Sequence, residues 1–363
     1  MTTILQCMAS VRPSAGGPST SSRALAEALR SQGARVVTVG HNDSDRSSDT
    51  EAGVVKLPIR HRGLQFSFAY FAWLVANTRK FDFVLIYSLF LPHSILCSLV
   101  CWAFRVPYAV RPHGSLNTSD LSRHRFRKMA YLRTFGRFTL HFARFIFCTG
   151  VAEAQQAQIW TNTRTVVIPL GIDWATLPSS PVHSADSASI LFLGRITEKK
   201  GVDILLRALH LLQKDGYAFR ARIVGSDDDG LLANYRALSD SLDLRETVEF
   251  LPFAGPDHRR KYLREASVFA LPSKDENFGI AVAEALGSGL PVVLTPGVSH
   301  ASAVEEVRAG VVTDRSPEAV AAGIASIFDL SAQEYQSMSR SARRLAETRF
   351  SWPSTAQMLL DEI

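Results

Sequence analysis

The sequence has few cysteines, and this scarcity excludes several classes of protein. Its 363 residues include four (Cys7, Cys97, Cys101 and Cys148), too few and too scattered for a disulfide framework or a four-thiolate zinc site. They are predicted to be small buried hydrophobic residues in a reducing compartment. With 46% hydrophobic and 20% charged residues, the composition is that of an ordinary soluble protein, which excludes a disordered or fibrous chain.

The sequence also lacks the motifs of a signal peptide, of a nicotinamide or flavin site and of an Asp-x-Asp metal site. The first residues lack a basic leader followed by a long apolar core, so no signal peptide is expected. The glycine-rich loop after the first predicted strand is not G-x-G-x-x-G, so the nicotinamide or flavin fingerprint is missing. No Asp-x-Asp pair stands at a plausible place for a metal motif, and residues 227–229 are predicted to lie in a loop.

The net charge of +6 is distributed unevenly along the chain. Residues 1–178 carry 20 basic and 9 acidic side chains, a net charge of +11, whereas residues 179–363 carry a net charge of −5. This asymmetry suggests two domains with different partners. A field of positive sign attracts phosphates, nucleic acid or an anionic membrane surface.

Predicted strands alternate with predicted helices through both halves of the chain, which indicates an α/β protein with parallel sheets. The stretch 177–188 is rich in Pro, Ser and Ala and has no periodicity, so we place a domain boundary there. The prediction is two doubly wound, Rossmann-like domains, residues 1–178 and 179–345, facing a central cleft. Residues 346–363 are predicted to be a C-terminal helix that packs back toward the first domain.

Residues 83–104 contain no charged side chain and are long enough to span a bilayer. Pro92 and His93 interrupt this run, and residues 83–87 form a β-rich segment. A buried strand followed by a short loop and a buried helix over 93–104 fits the surrounding α/β rhythm better than a membrane span.

The strongest candidate site lies in residues 272–293. Glu276 is predicted in the loop after a strand and Glu284 in the helix that follows. The backbone amides of Gly279 and Ile280 open this helix, and such a helix start favours a phosphate. Two carboxylates beside a phosphate site are suited to accepting hydrogen bonds from hydroxyls of a sugar or a ribose. The alternative is a surface loop with two solvated glutamates.

Three shorter motifs follow other predicted strands. Arg195 and Lys200 could clamp a diphosphate, although a turn of this composition is also common as an exposed loop. Gly16 and Gly17 precede the first helix and allow a ligand to approach the backbone closely. His113 stands at the carboxyl end of a strand, where the alternative is an ordinary polar loop residue.

Together these segments resemble a known family. The GG loop, PHG at 112–114, IPLGID at 168–173, FLGRITEKKG at 192–201, the ENFG-to-EAL string at 276–286 and FSW at 350–352 are similar to retaining glycosyltransferases of the GT-B fold, family 4, also called glycosyl transferases group 1. These enzymes use nucleotide-sugar donors such as UDP- or GDP-sugars. GGP near the start, and PHGS followed by a basic helix, look most like bacterial enzymes that build surface polysaccharides.

The resemblance implies a role for each matching residue. Glu276 would hold hydroxyls of the donor sugar, and Glu284 would accept hydrogen bonds from the ribose. Arg195 and Lys200 would neutralise the diphosphate as negative charge develops on the leaving group. His113 would lie near the anomeric centre of the transferred sugar. The implied catalytic set is therefore His113, Glu276, Arg195 and Lys200.

The remaining implied contacts are with the backbone. Donor binding would use Asn277, Phe278, Gly279 and Ile280, with Gly16 and Gly17 closing over the diphosphate from the first domain. No cofactor and no metal ion are expected, because cationic side chains and a helix start would neutralise the leaving group. The acceptor would be a glycan or a lipid-pyrophosphate-linked glycan, and retention would proceed by departure and attack on the same face of the sugar.

The acceptor side is predicted in the strongly basic segment 121–152. It holds seven basic residues, namely Arg123, Arg125, Arg127, Lys128, Arg133, Arg137 and Arg144. Aromatic residues recur there at helical spacing, namely Tyr131, Phe135, Phe138, Phe142 and Phe145. We expect a buried aromatic stripe with an arginine face that is either solvated or in contact with phospholipid headgroups or a lipid-pyrophosphate acceptor. Nucleic acid is not expected, because buried aromatics cannot stack on bases.

The sequence thus predicts a cytoplasmic hexosyltransferase, with peripheral attachment to the inner face of the cytoplasmic membrane as a further hypothesis. Two alternatives stay open. One is a nucleotide-sugar epimerase of the same fold, which should lack the ENFG-x4-E string and carry more acid/base candidates. The other is a non-catalytic nucleotide-sugar binding module, against which the presence of Glu276, Arg195 and Lys200 argues.

Overall fold

The computed structural model describes residues 1–11, 17–42, 53–58, 67–116, 121, 125–178 and 188–363. The chain divides into two compact units. Unit 1 comprises Met1–Gly171 and Trp352–Ile363, and unit 2 comprises Ile172–Ser351. The predicted linker residues 179–187 and Gly16 lie outside the described residues.

Unit 1 is built on a parallel sheet. Its described strands are β1 (Thr3–Ser10), β2 (Arg35–Asn42), β3 (Val54–Pro58), β4 (Phe83–Tyr87), β5 (Tyr108–Arg111), β6 (Phe145–Cys148) and β7 (Thr165–Val167). Their order across the sheet is β3-β2-β1-β4-β5-β6-β7, and every neighbouring pair is parallel. Its described α-helices before residue 171 are α1 (Gly17–Ser31), α2 (Phe68–Asn77), α3 (Pro92–Phe104), α4 (Arg125–Tyr131), α5 (Arg137–His141) and α6 (Val151–Gln158).

Unit 2 repeats this architecture on a second parallel sheet. Its described strands are β8 (Ala188–Leu193), β9 (Phe219–Val224), β10 (Val248–Leu251), β11 (Val268–Leu271), β12 (Val292–Leu294) and β13 (Gly310–Val312). They lie in the order β10-β9-β8-β11-β12-β13, again with parallel pairs throughout. Its helices are α7 (Val202–Lys214), α8 (Leu232–Ser241), α9 (Pro256–Glu265), α10 (Ile280–Gly287), α11 (Ala301–Glu306), α12 (Pro317–Phe328) and α13 (Ala332–Arg349).

The apolar patterning of the sequence explains these elements. Every residue of β4 and of β11 is buried, as expected for strands covered on both faces. In α7, buried apolar residues recur every three or four positions, for example at Leu205, Leu209 and Leu212, so one face of the helix packs on the sheet. The predicted α/β fold with two Rossmann-like parallel sheets is confirmed.

The last helix, α14 (Trp352–Glu362), belongs to unit 1. Ala356 and Leu359 are fully buried in the same cluster as Leu25 and Leu29 of α1. The Thr355 hydroxyl donates a hydrogen bond to the Pro169 carbonyl, with 2.8 Å between the two oxygens. Apolar burial and this hydrogen bond therefore fix the end of the chain on unit 1.

The division between the units falls before the sequence-based boundary at 178, because residues 172–178 pack on unit 2. The Ile172 amide and the Trp174 indole both donate hydrogen bonds to the Phe350 carbonyl, at 3.1 and 3.3 Å. Arg343 donates to the Pro178 carbonyl at 3.2 Å. These contacts assign the segment to unit 2 although the sequence there shows no periodicity.

Residues 83–104 form a strand and a helix, as predicted. The strand β4 is buried, and α3 buries one side that includes Cys97 and Cys101. Among the helices that the structure describes, none combines the length and the apolar character needed to cross a bilayer.

The predicted aromatic stripe over 131–145 is wrong in two respects. Phe145 begins strand β6, and the helical segment ends at His141, so the stripe is not one continuous helix face. A π-helical segment at Leu132–Gly136 shifts the helical phase, and Phe135 and Phe142 are 57% and 46% exposed. Only part of the predicted aromatic set is therefore packed inside unit 1.

Candidate functional site

In unit 2, the loop after β8 and the loop after β11 bring Lys200 and Glu276 together. The Lys200 ammonium contacts a carboxylate oxygen of Glu276, and the two side chains are only 13% and 11% exposed. The Ser273 hydroxyl lies 3.2 Å from the same carboxylate oxygen. Charge removed from water in this way is stabilised by its partner and by such hydrogen bonds.

A tight turn carries Lys200 to this position. Residues Glu198–Lys200 form a 3₁₀ turn that ends at Gly201, whose φ of 71° lies in the left-handed region. A side chain at Gly201 would collide with the carbonyl of Pro272. Glycine is therefore required here both for the backbone angle and for the close approach of the two loops.

The backbone of Glu276 is held independently of its side chain. Its amide donates a hydrogen bond to the Gly297 carbonyl at 2.9 Å, and its carbonyl accepts one from the Ser299 amide at 3.2 Å. Glu276 and Val298 form an isolated parallel bridge. The carboxylate is thus presented from a fixed loop rather than from a free one.

The segment after Glu276 forms the start of α10. Gly279 is the N-cap residue of this helix, with a φ of 66° and no side-chain cap. Its carbonyl accepts hydrogen bonds from the Val282 and Ala283 amides, so the amides of Ile280 and Ala281 are the ones that precede the first hydrogen bonds of the helix. The Phe278 ring is buried and packs edge-on against His300 and Phe350. This aromatic anchor fixes the helix start, which is suited to binding an anion.

Glu284, one turn further along α10, pairs with an arginine that sequence reasoning missed. Arg259 of α9 donates to both carboxylate oxygens, at 2.8 and 3.1 Å, and the Glu284 side chain is 13% exposed. Burial raises the pKa of the Glu284 carboxyl above its usual value, and Arg259 opposes that rise. Arg259 therefore orients Glu284 and favours its charged form.

Arg195 is the most exposed of the predicted cations. Its side chain is 61% exposed and its guanidinium lies 4.0 Å from the Asp228 carboxylate. A pair of this kind contributes little to stability, so the side chain can reorient toward a ligand at small cost. Arg195 and Lys200 both follow β8, but only Lys200 contacts another predicted site residue within the described part of the chain.

Unit 1 holds the other predicted site residues. Gly17 is the first residue of α1, whereas Gly16 lies outside the described residues. His113 follows β5 in a turn, with a φ of 54°, and its ring stacks on the Tyr87 ring at a centroid distance of 5.4 Å. Burial and the nearby charge of Arg111 lower the pKa of His113 well below its ordinary value.

Three site residues that the sequence did not predict contact a predicted site residue or its neighbour in the chain. Arg259 pairs with Glu284, and Ser273 lies beside Glu276. Glu153 accepts a hydrogen bond from the Gly114 amide, next to His113, at 2.6 Å. Arg259 stands in the basic run HRRKY, and no sequence signal distinguishes it from the neighbouring Arg260.

Comparison with known proteins identifies two family matches. Residues 176–345 match the family described as glycosyl transferases group 1, and residues 16–171 match the glycosyl transferase 4-like domain. Together these matches cover most of the chain.

Individual relatives match about half of the chain at about 30% identity. A D-inositol 3-phosphate glycosyltransferase of Kineococcus radiotolerans is 30% identical over 223 residues, which cover 54% of this chain and 51% of the relative. The putative colanic acid biosynthesis glycosyltransferase WcaL of Escherichia coli K12 is 31% identical over 196 residues, covering 52% and 48%. The chain thus spans about half the length of the curated relatives it matches.

Among solved structures, HepE of Anabaena, determined in complex with UDP and glucose, superimposes with a TM-score of 0.80 at 19% identity. The superposition covers 99% of both chains, and at this identity it is evidence for the fold alone. Two parallel-sheet units of this kind match the GT-B architecture. By its family matches the chain is similar to the glycosyl transferases group 1 family over residues 176–345 and to the glycosyl transferase 4-like domain over residues 16–171.

Proposed function

We propose that this protein transfers a sugar, with retention of anomeric configuration, from a UDP- or GDP-sugar to a glycan or a lipid-linked glycan in bacterial polysaccharide assembly. The observation that carries this proposal is the cluster at the carboxyl edge of the unit 2 sheet. There, cations, a helix start without a side-chain cap and two nearly buried carboxylates follow neighbouring strands. Cations and helix amides suit a diphosphate, and carboxylates suit hydroxyls.

The leaving group is stabilised by charge already in place. Lys200, Arg195 and the amides that open α10 take up the negative charge that develops on the departing diphosphate. The contact with Glu276 fixes the position of the Lys200 ammonium. Because these groups supply positive charge at the leaving group, we propose that catalysis requires neither a divalent metal nor a cofactor.

The carboxylates recognise the two hydroxyl-bearing parts of the donor. Glu276 accepts hydrogen bonds from the transferred sugar, and Glu284 accepts them from the ribose. Arg259 already occupies both oxygens of Glu284, but a carboxylate has about four acceptor sites, so two remain for ribose hydroxyls.

Transfer with retention then follows one sequence of bond changes. The bond from the anomeric carbon to the diphosphate oxygen breaks, and the acceptor oxygen bonds to the same face. The acceptor proton passes to an oxygen of the departing diphosphate. His113 contributes hydrogen bonding near the reacting carbon.

The acceptor is proposed to reach unit 1 at an anionic membrane surface. The rings of Trp102 and Phe142 are 54% and 46% exposed and lie 6.0 Å apart. Arg133, Arg137 and Arg144 are exposed on the same stretch of chain. Exposed aromatics beside arginines suit the boundary between headgroups and acyl chains, and the family relative described as a colanic acid enzyme supports a polysaccharide acceptor.

Incubation with a panel of UDP- and GDP-sugars in EDTA tests the donor reaction. We expect free nucleoside diphosphate, and an unchanged anomeric configuration in the product formed with an added acceptor. Lys200→Met should lower the rate roughly 30- to 1000-fold through loss of a charge-assisted contact worth about 2–4 kcal/mol. Lys214→Met, at an exposed position of unit 2, is the matched control.

Two results would overturn the donor proposal. An altered nucleotide-sugar without release of diphosphate would identify an epimerase, and neither change would leave a binding module. Activity that EDTA abolishes and Mg²⁺ or Mn²⁺ restores would contradict metal independence. Because Lys200 pairs with Glu276, the folded state of each variant should be verified by circular dichroism.

Arg259→Gln should destabilise the protein in a pH-dependent way. Without Arg259, the folded-state pKa of Glu284 rises further above its unfolded value. An acid with a raised pKa in the folded state loses stability as pH increases past the unfolded value. In urea unfolding, the variant's loss of unfolding free energy relative to the unaltered protein should be about 1–3 kcal/mol larger at pH 7 than at pH 4.5.

Arg260→Gln, at an exposed position of the same helix, is the control and should show no such difference. An equal loss at both pH values in Arg259→Gln would mean that Arg259 acts through packing and not through the charge of Glu284.

Sedimentation with vesicles containing anionic phospholipid tests the membrane proposal. We expect binding at low salt that weakens as salt rises, because screening acts beyond a Debye length of about 8–10 Å. Replacing Arg133, Arg137 and Arg144 with Gln should release the protein and leave donor cleavage intact.

The matched control replaces three exposed arginines of unit 2, Arg220, Arg236 and Arg245, with Gln and removes the same charge. Equal loss of binding in both triple variants, or no binding by the unaltered protein at low salt, would show that the 121–144 face is ordinary solvated surface.

A further inference from the structure

Arg111 is a fully buried cation that forms no ion pair with the residues that the structure describes. It ends strand β5 and is 0% exposed. Its Nε, Nη1 and Nη2 atoms have no hydrogen-bond partner among the described residues. A buried charge in this state costs free energy, so a fold that retains it implies a role for the charge itself.

Aromatic rings and one distant carboxylate offset part of that cost. The Arg111 guanidinium lies 4.9 Å from the centre of the Phe147 ring and 5.3 Å from the centre of the Tyr87 ring. Contacts of this type attract a cation to the ring face. Glu153 adds electrostatic attraction, and burial lowers the pKa of Arg111 from its usual value.

The Tyr87 ring links Arg111 to His113. The imidazole of His113 stacks on Tyr87 with an angle of 29° between the planes, and its Nε2 atom is buried without a partner among the described residues. The Tyr87 hydroxyl makes no hydrogen bond of good geometry in that part of the chain, but it interacts electrostatically with Arg111. Arg111 at the end of β5 and His113 just after that strand therefore contact the same aromatic ring.

The backbone of His113 is held in an unfavourable conformation by a buried carboxylate. A non-glycine residue at a φ of 54° requires support from its surroundings. Oε1 of Glu153 accepts a hydrogen bond from the next amide, that of Gly114, at 2.6 Å. Oε2 accepts from the amide and the hydroxyl of Thr149, at 2.7 and 2.9 Å. The carboxylate thus ties the turn to the end of β6.

We propose that Arg111 is a positioning residue for His113: through the shared Tyr87 ring it fixes the imidazole and, together with burial, keeps it uncharged, so that Nε2 can form a hydrogen bond with a sugar hydroxyl. The identity of that hydroxyl rests on the proposed function, whereas the effect of Arg111 on His113 does not. Around the imidazole, the charged and titratable groups in the described part are Arg111, Tyr87 and, through the Gly114 amide, Glu153.

The uncharged state has a chemical consequence. A neutral imidazole offers one donor and one acceptor, which matches a hydroxyl, whereas an imidazolium offers two donors and a charge, which matches a phosphate. With Arg111 in place, His113 selects a neutral hydroxyl-bearing group and leaves the diphosphate to the cations of unit 2.

NMR of the full-length protein with ¹³Cε1-labelled histidine tests this directly. The His113 signal is assigned by its loss in His113→Asn. In the unaltered protein we expect no titration of this signal between about pH 5.5 and pH 8. In Arg111→Met the midpoint should rise toward the ordinary value of histidine, whereas Arg111→Lys, which keeps the charge, should leave the signal unchanged.

Activity gives a second readout, since Arg111→Met should add an acid limb to the pH profile of kcat that Arg111→Lys lacks. A His113 midpoint near its ordinary value in the unaltered protein overturns the proposal, even if Arg111→Met does not fold. An unchanged midpoint in folded Arg111→Met also overturns it. Because NMR needs no turnover, failure of the glycosyltransferase assignment remains distinguishable from failure of this inference.

Discussion

In both units the paired strands run parallel, and a parallel sheet places the carboxyl ends of all its strands along one edge. The loops that follow those strands therefore meet, however far apart they lie in sequence. Lys200 follows β8 and Glu276 follows β11, and the two side chains touch because β8 and β11 are neighbours in the sheet. In unit 1 the same constraint brings the residues after β4, β5 and β6 together around Tyr87 and His113.

Buried charges are compensated differently in the two units. In unit 2 the nearly buried carboxylates Glu276 and Glu284 each have a cation in contact, so the site carries matched charges without a ligand. In unit 1 the cation Arg111 is buried against aromatic rings, and its charge acts on His113. Paired carboxylates can exchange hydrogen bonds with an incoming ligand, whereas the charge of the buried arginine adds to burial in lowering the pKa of His113.

The sequence predicted the parts of the structure that local pattern determines. The strands and helices of unit 2 follow the apolar periodicity, and the segment 83–104 was correctly divided into a strand and a helix. The partners of the site residues were not predictable. Arg259 and Arg260 are adjacent in one basic run, and only the tertiary structure shows that Arg259 is the one that contacts Glu284.

The aromatic stripe and Arg111 illustrate two further limits. A π-helical segment at Leu132–Gly136 changes the helical phase, and no spacing rule applied to the sequence anticipates that change. An arginine at a strand end is ordinarily exposed, so RPHG drew attention to His113 and not to Arg111. In both cases tertiary packing overrides the local preference.

The central claim is that a nucleoside diphosphate occupies the carboxyl edge of the unit 2 sheet, at the start of α10. Hydrogen–deuterium exchange with and without saturating UDP or GDP measures this most directly, because ligand contact with backbone amides slows their exchange. We expect protection confined in unit 2 to residues 194–201 and 276–284, with no change in β9. Nucleotide binding that leaves both segments unprotected, or that protects other loops in their place, would contradict it.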